Sequence, residues 1–226
     1  MSKLEKIKEI VKTKDSKICL SVDVSTLEEL YNIINELGDY ICVLKIHHDI
    51  ISDFNVNLQN TIDTLINLKN KHNFLIWEDR KFADIGMVMK RQVETHIIKW
   101  TDLISVHPIS GFESVKQIPE DIGIILIGEL SSTGNLIRES YTLSVIEMCE
   151  NLKNCVGIVC QRNLKTSKLI FTPGINLSSK GDNMGQKYST INEKRFADIF
   201  VIGRGILNSD NRKKTVIEYN HEINRN

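Results

Sequence analysis

"LIWEDRKFADIGMV", Leu75 to Val88, is an apolar run that stops abruptly in Glu-Asp-Arg-Lys and meets a third acid at Asp84. The apolar half reads as a strand covered on both faces, where near-continuous Leu, Ile and Trp replace the usual alternation. Side chains along a strand alternate in direction. Asp79 and Lys81 therefore share the inward face, and Glu78 and Arg80 point the other way, toward covering helices.

Seven similar runs accompany it: "KICLSVDV" (17–24), "YICVLKIH" (40–47), "LISVHPIS" (103–110), "GIILIGEL" (123–130), "CVGIVCQ" (155–161), "KLIFTPGI" (168–175) and "DIFVIGRG" (198–205). Helical patterns lie between most of them. "TLEELYNIINELG" (26–38) opens on a Ser25-Thr26 cap and closes at Gly38. "NLQNTIDTLINLKNKH" (57–72) sets Leu58, Ile62, Leu65, Ile66 and Leu68 largely on one side, and "GNLIRESYTLSVIEMCENL" (134–152) reads as a similar helix. Eight strands alternating with helices over 226 residues predict an α/β fold, a (β/α)8 TIM barrel. The rival doubly wound sheet expects a glycine-rich turn after the first strand, where this chain has "SVDVST". With no linker, no low-complexity tract and three prolines, residues 1–226 read as a single domain. Leu4, Ile7, Ile10 and Val11 share one helical face, so a helix at about residues 2–13 is expected to pack on the barrel.

Composition narrows the function. Lys plus Arg and Asp plus Glu both number 29, so no whole-chain field attracts nucleic acid or an anionic membrane. No apolar run reaches the roughly 20 residues of a membrane span, and charges interrupt any signal-peptide core near the N-terminus. Five cysteines, mostly inside apolar runs, are expected as free thiols in a reducing, cytoplasmic compartment. The histidines lack metal-ligand spacing, and no metal is expected. Trp77 and Trp100 read as core residues. An internal echo, "RKFADIG" (80–86) and "KRFADIF" (194–200), follows a strand in one copy and precedes one in the other, so it is no repeat.

Barrel chemistry sits at the C-terminal ends of the strands. Those ends carry Ser21 and Asp23, Lys45 and His47, Asp79 and Lys81, His107, Glu129 and Ser131, Gln161, Thr172, and Gly203 with Arg204. Asp23 and Lys45 end neighbouring strands and can reach Asp79. A satisfied ion-pair network is the bland explanation. Desolvating several charges rarely adds net stability over apolar packing, so a reaction is the better one. Opposite charges at about 4 Å attract by about 4 kcal/mol at an effective dielectric near 20. An ammonium caged this way suits proton donation better than nucleophilic attack.

"EDRKFADIG" (78–86) resembles the signature of the orotidine 5′-monophosphate decarboxylase family, eukaryotic type. "LSVDVST", "LKIHHDI", "ELSSTGNL", "GIVCQRN", "FTPGINLSSKGDNMGQKY" and "ADIFVIGRGI" extend the likeness, in order, over nearly the whole chain. The resemblance implies conversion of orotidine monophosphate to uridine monophosphate in pyrimidine biosynthesis, without metal or organic cofactor. It implies that Lys81 protonates C6 as carbon dioxide leaves, and that Asp79 holds Lys81 beside the departing carboxylate. Lys45 would complete the charge chain and touch the ribose. Asp84 would reach into the partner's site of a homodimer. Asp23 would bind ribose hydroxyls with Ser21 and His47 nearby, and Ser131 the pyrimidine. Ile85 and Pro173 would also contact substrate. Gln186 and Tyr188 would close as a lid, and Arg204 with the Gly203 backbone would bind phosphate. Three positions depart from the pattern: Ile46 and Val88 stand where threonine is usual, and Lys187 lies in the middle of the lid motif.

Two other functions fit a barrel with these charges. One is a magnesium-dependent sugar-phosphate decarboxylase or synthase of the same superfamily. The other is a non-catalytic nucleotide-binding barrel.

Overall fold

The computed structural model describes residues 1–177, 185 and 187–225. Eight parallel strands close into a barrel in sequence order. They are β1 (Ile18–Val22), β2 (Val43–Ile46), β3 (Leu75–Phe82), β4 (Leu103–Val106), β5 (Gly123–Ile127), β6 (Cys155–Val159), β7 (Leu169–Pro173) and β8 (Ile199–Ile202). β1 pairs with both β2 and β8, which completes the circle. The apolar runs are continuous because one face fills the barrel and the other packs under helices. Leu20 and Leu44 belong to the outer layer, whereas Val43, Trp77 and Phe171 belong to the inner one.

The covering helices begin where capping chemistry allows. Helix α2 (Leu27–Leu37) starts at Thr26, whose hydroxyl accepts the amide of Glu29, and ends at Gly38. Helix α3 (Leu58–His72) starts at Asn57 and ends at Asn73 in the left-handed conformation. Helix α4 (Gly86–Thr95) follows β3, a short α5 (Phe112–Val115) follows β4, and α6 (Glu139–Asn151) follows β5. A four-residue α7 (Arg204–Leu207) and α8 (Arg212–Asn224) follow β8, whereas among the described residues no α-helix follows β6 or β7.

Helix α6 is shorter than the sequence pattern predicts. Gly134 has φ +74, and the Asn135 side chain donates to Ser132 O and accepts from the amide of Ile137. These local bonds compete with helix formation, and Arg138 is still extended before the helix starts.

Helix α1 (Lys3–Lys14) carries a Ser2–Glu5 capping box. It packs Ile7 and Ile10 into the same cluster as the barrel interior, beside Leu75, Leu103 and Leu169 at the strand starts. It therefore plugs the end opposite the charged residues. Its ends are tied down as well. Lys3 bonds Asp102 at 2.8 Å, and Lys14 donates to the carbonyls of Gly38 (2.6 Å) and His72 (2.7 Å). Ile7 is fully buried in this plug. Ile7→Ala is expected to lower stability by about 2–5 kcal/mol. A lower urea midpoint at unchanged slope would show it.

Candidate active site

The charged end of the barrel opens into a cavity of about 390 Å³, within the range of small-molecule sites. Ser21 and Asp23 reach it from β1, Lys45 and His47 from β2, and Asp79 and Lys81 from β3. Ser131 enters from the β5–α6 loop, Pro173 and Tyr188 from either side of the β7–β8 connection, and Gly203 and Arg204 from β8. Trp77, Ile127 and Val201 form apolar parts of the wall.

Asp79 is the centre of the charge set. Its Oδ2 accepts from Lys45 Nζ at 2.7 Å and from Lys81 Nζ at 2.9 Å. Lys45 also lies 4.0 Å from Asp23. His47 bridges the two acids, with Nδ1 3.0 Å from Asp23 Oδ1 and Nε2 3.5 Å from Asp79 Oδ2. Burial pushes the Asp79 carboxyl up, but the ammonium groups of Lys45 and then Lys81 outweigh it and hold the carboxyl well below the usual range. Burial likewise raises Asp23, and the hydrogen bond to His47 with the charge of Lys45 brings it down to about 2. Lys45 is buried, which disfavours its charge, yet Asp79 and Asp23 raise its pKa above the ordinary lysine value.

Simple alternation does not bring Lys81 to this site. β3 pairs with β4 at Trp77–Leu103 and Glu78–Ile104, then slips and resumes at Phe82–Val106. Lys81 lies in that bulge with φ +59, and this turn aims its amine back at Asp79. Glu78 faces outward as alternation predicts and is fully buried, accepting the amide of His48 at 3.0 Å. Arg80 is exposed, with its guanidinium over the Phe82 ring.

Several strand-end residues lie elsewhere. Glu129 pairs with Arg162 at 2.7 Å and accepts the amide of Gln161. Gln161 donates to the carbonyl of Pro173, and Thr172 is buried. His107 does not line the cavity, although burial and then the charge of Lys81 lower its pKa. Asp84 and Ile85 lie outside the cavity of their own chain. Asp84 Oδ1 accepts the amide of Ile85, and Ile85 is 59% exposed. Gln186 lies outside the described residues. Arg212 and Asn208 line the cavity without any signal in the sequence to mark them.

Among the described residues, one group has donor atoms close enough to hold a metal: His48, Asp49 and Glu78, all within 4.8 Å. It lies outside the barrel wall. His48 there stacks edge-on with Phe54, His96 and Trp100, and Glu78 Oε2 is taken by the His48 amide. No helix among the described residues is long and apolar enough to cross a membrane.

Residues 16–219 match the model of the Orotidine 5′-phosphate decarboxylase / HUMPS family. The chain belongs to this family. Among curated relatives, orotidine 5′-phosphate decarboxylase of Cyberlindnera jadinii is 38% identical over 217 residues, covering 88% of this chain and 81% of its own. That of Torulaspora delbrueckii is 38% identical over 221 residues, covering 89% and 83%. Uridine 5′-monophosphate synthase of Bos taurus is 38% identical over 229 residues, covering 95% of this chain and 47% of its own. Among solved structures, orotidine 5′-monophosphate decarboxylase of Methanocaldococcus jannaschii, complexed with the inhibitor BMP, superposes with a TM-score of 0.71. It is 22% identical and covers 93% of this chain and 99% of its own, so it speaks for the family's barrel fold.

The linkage of the buried acid has a definite sign. An unfolded Asp titrates near 3.9. Because Asp79 is depressed in the fold, its contribution is complete above about pH 4 and is lost as the pH falls below that value. Asp79→Asn leaves Lys45 buried without its main counter-charge and is expected to cost about 3–5 kcal/mol near neutral pH. The gap to wild type should narrow below about pH 4, as the carboxyl of the unfolded wild-type chain takes up protons that the folded one still refuses. Urea midpoints of both proteins across the acid range check this.

Proposed function

We propose that this chain decarboxylates orotidine 5′-monophosphate to uridine 5′-monophosphate, with Lys81 as the proton donor. The observation that carries the reading is the Lys81 ammonium at the cavity wall, 2.9 Å from a buried carboxylate that Lys45 also holds. The relatives' names agree with it. In the reaction, the bond between C6 and the carboxylate carbon breaks and carbon dioxide departs. The electron pair stays at C6, and Lys81 Nζ delivers a proton to it. The amine is reprotonated from solvent. Fixed positive charge beside the carbon where negative charge develops stabilises that transition state without reorganisation. Asp79 holds the donor in place. Asp23 and His47 are assigned to the ribose, Ser131 to the pyrimidine and Arg204 with Gly203 to the phosphate. Tyr188 belongs to the lid, its ring 5.6 Å from the Arg204 guanidinium carbon.

Lys81→Ala is expected to lower kcat about a thousandfold or more. Wild-type turnover is expected to be unchanged in excess chelator, because no step needs a metal. Loss of orotidine monophosphate absorbance follows both. Chelator-sensitive turnover would favour a magnesium-dependent reaction, and uridine monophosphate binding without turnover would favour a non-catalytic barrel.

The working unit in this reading is a cytoplasmic homodimer of single-domain chains. Five buried free thiols support a reducing compartment. The dimer is supported by a cluster of exposed apolar side chains beside Asp84. Ile85 and Met87 open α4, and Ile109 and Phe112 lie just before or on α5, with exposures of 59%, 58%, 77% and 37%. The two helices pack together, since a Cβ on Gly86 would collide with Gln117 and Ser114. A second copy covering this face would place its own Asp84 toward the cavity. Subunit mixing tests this. Lys81→Ala and Asp84→Ala proteins are each expected to be nearly inactive. Refolded together, they should regain about a quarter of wild-type activity, because half the dimers are mixed and each has one intact site. No recovery would place Asp84 in its own chain's site.

A further inference from the structure

We propose that Ser105, in the middle of β4, is a positioning residue that fixes the backbone of Lys81 and, through it, the ammonium. The inference rests on the decarboxylase reading for what Lys81 does. Ser105 does not line the cavity, so any effect it has on turnover passes through another group.

Three observations converge on it. Among the described residues, Asp15, Asn73 and Lys81 are the non-glycine residues with positive φ. Asp15 and Asn73 are helix C-caps, where the left-handed conformation is the common ending. Lys81 lies inside a strand, where that conformation is strained. It also needs a constraint that the helix ends do not.

The second observation is the strand register. Between the pairs Glu78–Ile104 and Phe82–Val106, residues 79 to 81 of β3 face Ser105 alone on β4. A bulge of this kind leaves backbone groups outside the ladder. The amide of Lys81 is one of them, and it donates to Ser105 Oγ at 3.0 Å. Beyond the bulge the ladder resumes, with the His107 amide donating to the Phe82 carbonyl at 2.8 Å.

The third observation is the setting of the hydroxyl. Ser105 is fully buried, next to Leu103 along its own face and level with Ile125 on β5. Apolar side chains fill the inner layer at both of those positions. A hydroxyl there carries a desolvation penalty unless it is bonded, and the Lys81 amide is its bond. Remove the hydroxyl and a partly buried N–H loses its acceptor. The strained residue then relaxes toward an ordinary strand conformation. That rotation swings Lys81 Nζ away from Asp79, to whose carboxylate and carbonyl it now donates at 2.9 and 3.2 Å.

Proton transfer depends on donor placement within a fraction of an ångström, and misplacement of about 1 Å costs up to a hundredfold. The full chain carrying Ser105→Ala is therefore expected to show kcat about ten- to a hundredfold below wild type. Its KM for orotidine monophosphate should stay within about twofold, because no substrate contact is lost. Ser105→Thr keeps the hydroxyl and should recover most of kcat. Should the alanine protein fail to fold, Ser105→Cys, close in size but a weak acceptor, is expected to fold and to lose kcat in the same sense. A folded alanine or cysteine protein with wild-type kcat would overturn the inference, as would a loss appearing in KM alone or one that threonine leaves unrepaired. Those outcomes leave the decarboxylase reading standing. A wild-type protein that turns over no orotidine monophosphate would remove both.

Discussion

One carboxylate oxygen, Asp79 Oδ2, accepts from two ammonium groups at once, at 2.7 and 2.9 Å. The architecture around it follows from holding those three charges together, with Asp79 and Lys45 buried and Lys81 at the cavity wall. The two buried charges, Asp79 and Lys45, each carry a desolvation penalty of several kcal/mol, which mutual attraction repays only when geometry is good. The second acid, Asp23, makes the set neutral and reaches Lys45 at 4.0 Å. His47 then ties both acids together. Apolar packing of the same volume is often as stable, so stability does not account for the arrangement, and the proposed reaction does.

The other half of the barrel supplies the rigidity this requires. Below the charges the inner layer is apolar, with Trp77 packed edge-on to Phe171 at 5.5 Å. Lys45 Nζ lies 5.9 Å from the Trp77 ring centroid, so the indole is both core and floor beneath the first ammonium. Helix α1 closes the far end with Ile7 and Ile10. Asp102 joins that plug to the wall, since it binds Lys3 and Lys69 and accepts the amide of Ile76. A residue three positions before Asp79 is thus anchored to a helix at the opposite mouth. Packed interiors resist deformation, so the charge set rests on a rigid base.

The barrel was legible in the sequence because eight apolar runs with intervening amphipathic segments admit few other closures. The site was legible for a related reason: strand ends converge in a barrel, so Ser21, Asp23, Lys45, His47, Asp79, Lys81, Gly203 and Arg204 could be gathered without coordinates. Most of what escaped depends on contacts distant in sequence. The bulge in β3 has no glycine to mark it, and alternation gave Lys81 the right face for the wrong reason. The Ser105 hydroxyl matters only because of a register slip on the neighbouring strand. Arg212 reaches the cavity from the last helix, which no local pattern signals. The late start of α6 came from an asparagine turn that the hydrophobic pattern ran straight through. Asp84 is a different case, since it lies outside the cavity of its own chain.

The proposed substrate explains why the phosphate end and the charged end belong to one cavity. Arg204 and Gly203 lie at the end of β8, whereas Lys81 comes from β3, across the barrel. Gly203 also lets β8 approach β1 closely, since a Cβ there would meet the Ser21 carbonyl at 3.1 Å. Residues 187–189 are fastened to Ser131 and Gly174. Lys187 N–H donates to the Ser131 carbonyl at 3.2 Å, and Ser189 N–H to that of Gly174 at 2.8 Å. Gly174 has φ +79, and a Cβ on it would lie 2.7 Å from the Lys187 carbonyl, so this seam closes only over glycine. Tyr188 sits on the same seam and stacks against Arg204. In the proposed complex, a phosphate held by Arg204 would also engage Tyr188. Binding energy gained far from the reacting carbon can then hold C6 against the fixed ammonium, which is how remote contacts raise kcat rather than only lower KM.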